Sequence, residues 1–188
     1  ELLGFAAPLQ NSYSCIAAVD YLTATYDAVA LLFLHLGRPI QDFLFWSSFE
    51  VGQLYLPNAF VQISSIMPQK RNPVPFEHLR HLAGQTVGRA RAVVDVVHNT
   101  PFTDMTDSEA ETHEMGYQAF AVGHRVLALL AATIAAGRID PERVAVNLDR
   151  SCATITELAD RLVRDEGLPF RLAHEIAAEV ARAVVAAG

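Results

Sequence analysis

Residues 76–97, FEHLRHLAGQTVGRARAVVDVV, decide the fold. The apolar positions Leu79, Leu82, Thr86/Val87, Ala90, Val93/Val94 and Val97 step by three and four, which draws one stripe along a long helix. No stretch elsewhere shows the strict alternation of a half-buried strand. Upstream, residues 12–36 are apolar on nearly every face, the pattern of a helix in the middle of a bundle. Gly37-Arg38-Pro39 predicts its stop, and residues 40–53 a second helix whose Phe43, Phe45, Trp46 and Phe49 read as core. Downstream, Ser108 and Glu111 form a capping box for a helix to about Ala136, closed by Gly137. Asp140-Pro141-Glu142 reads as an N-cap followed by proline in the first turn. Two further helices, near 152–166 and 169–187, are separated by Gly167. The expected fold is all-α, with a long-helix bundle over residues 1–139 and a small helical domain over 140–188. Gly84 and Gly88 are expected at a close helix contact, and His35 in the core.

Composition narrows the function. The chain has 188 residues, and its 52% hydrophobic content argues against disorder. A formal net charge of -7 disfavours nucleic acid as the main partner. The longest apolar run, 28–34, is too short to span a bilayer, so no membrane partner is expected. Cys15 and Cys152 form no Cys-x-x-Cys pair, which points to a reduced, cytoplasmic setting. The sequence starts at Glu1-Leu2-Leu3, without an initiator Met or a signal-peptide pattern, and reads as a cut through a larger protein.

Two irregular gaps interrupt the helices, at 54–75 and 99–107. A gap this long inside a compact domain is usually functional or disordered. The first contains ISSIMPQKRNP, residues 63–73, which holds paired hydroxyls, adjacent cations and an amide. Lys70 is the single lysine among 14 cations, the rest being arginines. An ammonium on a flexible stem suits a carboxylate that must be gripped and released, although composition alone favours a solvated side chain. Ser64 and Ser65 add hydroxyls, Asn72 an amide donor, and Glu77 a carboxylate at the start of the next helix.

In this combination the segment resembles the signature loop of the fumarase, aspartase and argininosuccinate lyase superfamily, carried here by Ser64-Ser65-Ile66-Met67-Pro68, Lys70 and Asn72. The run Leu44-Phe45-Trp46-Ser47-Ser48-Phe49-Glu50-Val51-Gly52 resembles argininosuccinate lyases, as do 156–164 and 169–176 near the C-terminus. The resemblance implies a homotetramer that cleaves a C–N or C–O bond and releases fumarate, with active sites built from several subunits. It implies Ser64 as the general base, Lys70 and Asn72 as holders of the substrate carboxylate, and Glu77 as the partner of an active-site histidine. Ser65 is a neighbouring substrate-binding position that reads as more structural than catalytic.

Several positions depart from the family. Ile63 stands where a glycine is usual, and Ala17-Ala18-Val19-Asp20 replaces a more polar run. In 101–109, the positions that contact substrate in argininosuccinate lyases are Pro101, Thr106 and Glu109. These replacements predict an N-succinyl amine other than argininosuccinate as substrate. The family's first two conserved regions, with the histidine that would face Glu77, have no counterpart in the sequence, and the C-terminal domain reads as incomplete. The chain alone is therefore expected to be inactive. The alternative is a non-catalytic oligomeric helical scaffold.

Asp104, Asp107, Glu109, Glu111, His113 and Glu114 read as residues favoured near a helix N-terminus and as solvated side chains, not as a metal cluster. His78 with His81, and His174-Glu175, lack the order of a zinc protease. There is no phosphate-cradling glycine loop. Neither a metal nor a cofactor is expected.

Overall fold

The computed structural model describes residues 3–105 and 110–187. Among these, seven α-helices carry the architecture: α1 Ser12–Ala17, α2 Asp20–Trp46, α3 Val74–Val96, α4 Ala110–Ala136, α5 Pro141–Ser151, α6 Ile155–Arg164 and α7 Phe170–Ala187. Four two-residue strands, unannounced by any alternation, form two antiparallel ladders. β1 (Leu54–Tyr55) pairs with β4 (Arg138–Ile139), and β2 (Gln62–Ile63) with β3 (Arg71–Asn72). The chain divides into two compact units, Glu1–Phe45 with Leu56–Gly137, and Trp46–Tyr55 with Arg138–Gly188.

In the first unit α3 lies along α4. Most of the expected stripe is buried: Leu79, Thr86, Val87, Ala90, Val93 and Val97 are, with Phe76 at its head, while Leu82 and Val94 are half-buried. Facing them are Ala119, Val122, Val126, Leu130 and Thr133. Burial of each large side chain contributes about 1.5–3 kcal/mol. The two buried threonines satisfy their hydroxyls within their own helices, Thr86 on the Leu82 carbonyl at 3.0 Å and Thr133 on that of Leu129 at 2.7 Å.

α2 is held against α4 by Tyr26, whose ring lies 5.6 Å from that of Phe120, and by Phe33. Gly116 makes this approach possible. A Cβ there would fall on the Tyr26 hydroxyl and only 2.6 Å from Cζ. At Gly123 a Cβ would come 2.9 Å from Cζ of Phe33. Burial, and then neighbouring Tyr117, push the Tyr26 phenol above its ordinary pKa. The close contact expected at Gly84 and Gly88 is absent, since both lie on an exposed face with nothing within 4 Å of a Cβ.

Gly37-Arg38-Pro39 does not stop the upstream helix. α2 runs through Pro39, and the break falls instead at Ala18, which is extended with ψ 133°. Proline removes one helical hydrogen bond at a cost of about 3 kcal/mol, and the adjacent Ile40, fully buried, offsets it. The second expected helix is therefore the end of α2, and it stops at Trp46, not near Gln53. Phe43 packs against Phe76 with ring centroids 5.7 Å apart, but Phe45 is 61% exposed and Phe49 is 93% exposed, so neither belongs to the core. His35 is likewise exposed. Ser108, the expected cap of α4, lies outside the described residues. By length and composition α2 and α4 are apolar enough to cross a membrane. The charges they carry, Asp27 and Arg38 in α2 and Glu114 and Arg125 in α4, fit bundle helices better.

The second unit is closed by polar clasps. Arg143 donates through Nε to the Val51 carbonyl at 3.1 Å and through Nη2 to that of Glu50 at 3.2 Å. Asn147 Nδ2 donates to Val51 at 3.1 Å. Gly52 has φ +64°, and a Cβ there would meet Arg143 Nε at 3.3 Å, so glycine is required. Asp140 caps α5, accepting from Arg143 N at 2.9 Å, as its sequence predicts. α6 and α7 enclose Ala159, Ala173 and Ala177, surrounded by Ile155, Leu158, Leu162, Val163 and Leu168.

The two kinds of glycine give opposite expectations in chemical denaturation. Gly116→Val should lower stability by about 1–3 kcal/mol through overpacking against Tyr26. Gly84→Ala should raise it by up to about 1 kcal/mol through helix propensity. Equal midpoints for the two variants would contradict the close approach at Gly116.

Candidate active site

The polar gap is a hairpin. Gln62 pairs with Asn72 and Ile63 with Arg71, so residues 64–70 form a seven-residue loop on a two-rung base. At one end of the loop, Ser64 Oγ accepts the backbone N–H groups of Ile66 at 3.3 Å and Met67 at 3.2 Å. Serine favours this kind of turn because its hydroxyl bonds backbone two or three residues on. At the other end, Lys70 N donates to the Met67 carbonyl at 2.9 Å, with Pro68 in the turn it closes.

The predicted residues fall on this hairpin and the helix that follows it. Ser64 and Asn72 are half-buried, and Ser65 and Lys70 are exposed. Glu77 is exposed in the first turn of α3, where its charge also complements the helix dipole. Phe76, 1% exposed, pins that helix start to the core beside Glu77. The hairpin thus gathers four of the five residues, and Glu77 follows five residues after Asn72.

Ile63 fits its position without strain. It sits in β2, and among the described residues Cys152 is the one non-glycine with positive φ. An extended backbone accepts a β-branched side chain readily. Ile66 at the loop tip is 86% exposed. Among the described residues, clefts open within each unit. One of about 430 Å³ is lined by Arg89, Glu114, Met115 and Gln118, and one of about 240 Å³ by Leu148, Asp149, Cys152, Thr154, Ile155 and Val184. Neither contains a loop residue. The hairpin chemistry is displayed on a surface.

The start of α1 meets the segment that follows Pro101. Tyr13 in α1 donates to the Phe102 carbonyl and to Thr103 Oγ1, each at 3.4 Å, and its ring lies 5.9 Å from that of Phe102. Thr106, Asp107 and Glu109 lie outside the described residues. Among the described residues no group of three His, Cys, Asp or Glu side chains could hold a metal. Both cysteines are free thiols.

Arg71 was not among the sequence candidates. Its Nη1 donates to Asn58 Oδ1 and its Nη2 to the Leu56 carbonyl, each at 2.6 Å. An exposed arginine between two polar residues reads as a solvated side chain, and no spacing signals a partner 13 residues away.

Known proteins align with this architecture. The model of a lyase family matches residues 1–88, and that of the argininosuccinate lyase C-terminal region matches residues 152–188. An EDDS lyase variant with bound fumarate superposes with a TM-score of 0.80 at 27% identity, covering 100% of this chain and 37% of that one. A class II fumarase from Schistosoma mansoni shares the fold at a TM-score of 0.74 and 18% identity, covering 93% of this chain and 36% of that one. The chain belongs to the fumarase, aspartase and argininosuccinate lyase superfamily. Within it, the relatives by sequence are argininosuccinate lyases. Argininosuccinate lyase 2 of Agrobacterium fabrum is 74% identical over 186 residues, 99% of this chain and 37% of that protein. Argininosuccinate lyase 1 of Shouchella clausii is 35% identical over 180 residues, 96% of this chain and 36% of that protein. The chain thus spans little more than a third of the length of these relatives.

Proposed function

We propose that the chain is the C-terminal portion of a carbon–nitrogen lyase that eliminates an amine from an N-succinyl compound and releases fumarate. Glu1–Phe45 with Leu56–Gly137 supply the bundle portion, and Arg138–Gly188 with Trp46–Tyr55 the C-terminal helical unit. The observation that carries this reading is the Ser64 hydroxyl receiving two backbone N–H groups inside the family's loop. A serine hydroxyl is a weak base unless its alkoxide is stabilised. Two amide donors already aimed at Oγ supply such stabilisation, because hydrogen bonds shorten and strengthen when the acceptor becomes charged.

In the reaction, Ser64 removes the proton from the carbon next to the substrate carboxylate. Negative charge passes into that carboxylate, where Lys70 and Asn72 hold it, with Ser65 beside them. The electron pair then forms the fumarate double bond as the C–N bond of the protonated, ammonium-form nitrogen breaks, and the neutral amine leaves with the bonding pair. Glu77 orients a histidine that a preceding segment contributes. The exposure of the hairpin supports a site whose remaining walls come from other polypeptide. Exposed Tyr21, Leu31 and Leu32 on α2, and Tyr117, Leu127 and Ile134 on α4, support burial of these helices in a homotetramer. Two free thiols are compatible with a cytoplasmic enzyme.

The leaving amine is proposed to differ from arginine. Val19 and Pro101 carry no side-chain donors where the family reads the rest of the substrate, and Thr106 and Glu109 depart as well. The similarity to an EDDS lyase supports a different amine. The name of the A. fabrum relative favours argininosuccinate itself, which is the competing reading.

Assembly comes first among the tests. Mixed with a polypeptide carrying the family's preceding regions, the chain should form a particle of four copies of each and gain turnover. Robust turnover by this chain alone would overturn the shared-site proposal. In that assembly, Ser64→Ala should lower kcat by about 10²–10⁴-fold with KM little changed. Lys70→Arg should also be slow, since a planar fork replaces a point charge. Near-normal kcat in Ser64→Ala would remove this serine from the mechanism. A panel of amines with fumarate, run in the addition direction, decides the substrate. The expected outcome is an amine preferred over arginine by at least about tenfold, whereas efficient argininosuccinate cleavage with no preferred amine favours the competing reading.

A further inference from the structure

We infer that Arg71 is a positioning residue, a buckle that fixes the returning arm of the loop and so sets the placement of Lys70 and Asn72. This rests on the function proposed above. Alternation along the ladder puts Arg71 and Ile63 on one face, and Asn72 and Gln62 on the other. On its own face, Arg71 reaches back with both terminal nitrogens. Nη1 bonds Asn58 Oδ1 and Nη2 bonds the Leu56 carbonyl, both at 2.6 Å. Leu56 is only 3% exposed, so this carbonyl belongs to a residue anchored in the core. The guanidinium therefore joins β3 to a fixed point 15 residues earlier.

The geometry separates fixed and free parts of the hairpin. Residues 64–69 are joined to themselves through the Ser64 turn and the Met67–Lys70 turn. Residue 71 is joined to the body of the unit. Lys70 and Asn72 are its two immediate neighbours, so holding residue 71 limits where each side chain can point. Because Asn72 faces the opposite side of the ladder, a tether on the Arg71 face leaves Asn72 available to a ligand. The planar fork matters: it presents two donors at fixed spacing to two acceptors, and a lysine offers a single point of attachment.

The experiment measures amide exchange and turnover in the assembled enzyme for Arg71→Lys, Arg71→Ala, Asn58→Ala and Asn58→Asp. In both Arg71 variants, exchange of amides within 62–72 should rise about tenfold with the thermal midpoint unchanged. Over the same variants kcat/KM should fall at least about tenfold, with KM raised as well as kcat lowered. Asn58→Ala should give a smaller change of the same kind. Asn58→Asp keeps the acceptor and should resemble the unmodified enzyme. Unchanged exchange in both Arg71 variants overturns the buckle, as does exchange that rises equally throughout the chain. The proposed reaction has its own control: an active Ser64→Ala enzyme refutes the reaction, while the exchange data still decide the tether.

Discussion

The distance between α2 and α4 is set where two glycines of α4 meet two aromatic rings of α2. Tyr26 at Gly116 and Phe33 at Gly123 bring ring against backbone, and any larger residue on α4 would force the helices apart. The rest of the first unit follows from that spacing. The same face of α4 meets α3, where Thr86 Cγ2 stands beside Gly123, and the stripe of α3 is filled by small and medium residues such as Ala83, Thr86 and Ala90. The first turn of α3 carries Phe76, buried against Phe43 just after the hairpin. The loop thus leads into a helix start whose place is fixed by packing.

The site contrasts with the core that carries it. Its side chains are short, polar and largely on the surface, and its internal bonds run from side chain to backbone within a few residues. Such a loop keeps its shape locally while its tip remains accessible. Ile66 at the tip is exposed, while Ser64 at the base is half-buried and bonded to its backbone.

Periodicity made the stripe of α3 legible, and the polar composition of residues 63–73 marked a break between helices, because both are written in nearby residues. What the sequence hid depends on distant partners. Pro39 looks like a stop, yet Ile40 beside it is buried deeply enough to keep α2 continuous. Glycine signals a close approach only when something stands opposite; Gly84 and Gly88 face open space, whereas Gly116 and Gly123 face rings. Phe45 and Phe49 have core composition but surface positions. Ile63 looks like the loss of a hinge glycine, but the extended backbone of a strand needs none. Ladders of two rungs are too short for any alternation to announce them.

The clasp of Arg143 and Asn147 on Val51 bears on the order in which the second unit can fold. Val51 is synthesised 92 residues before Arg143, and Leu54 long before its strand partner Ile139. Segment 46–55 must therefore wait, without its partners, while the whole of α3 and α4 is made. Closing so long a loop carries an entropic cost that only the finished unit offsets. Contacts of this separation form late and slowly. The second unit is a discontinuous domain, whose completion on the ribosome comes after that of the helices encoded between its two halves.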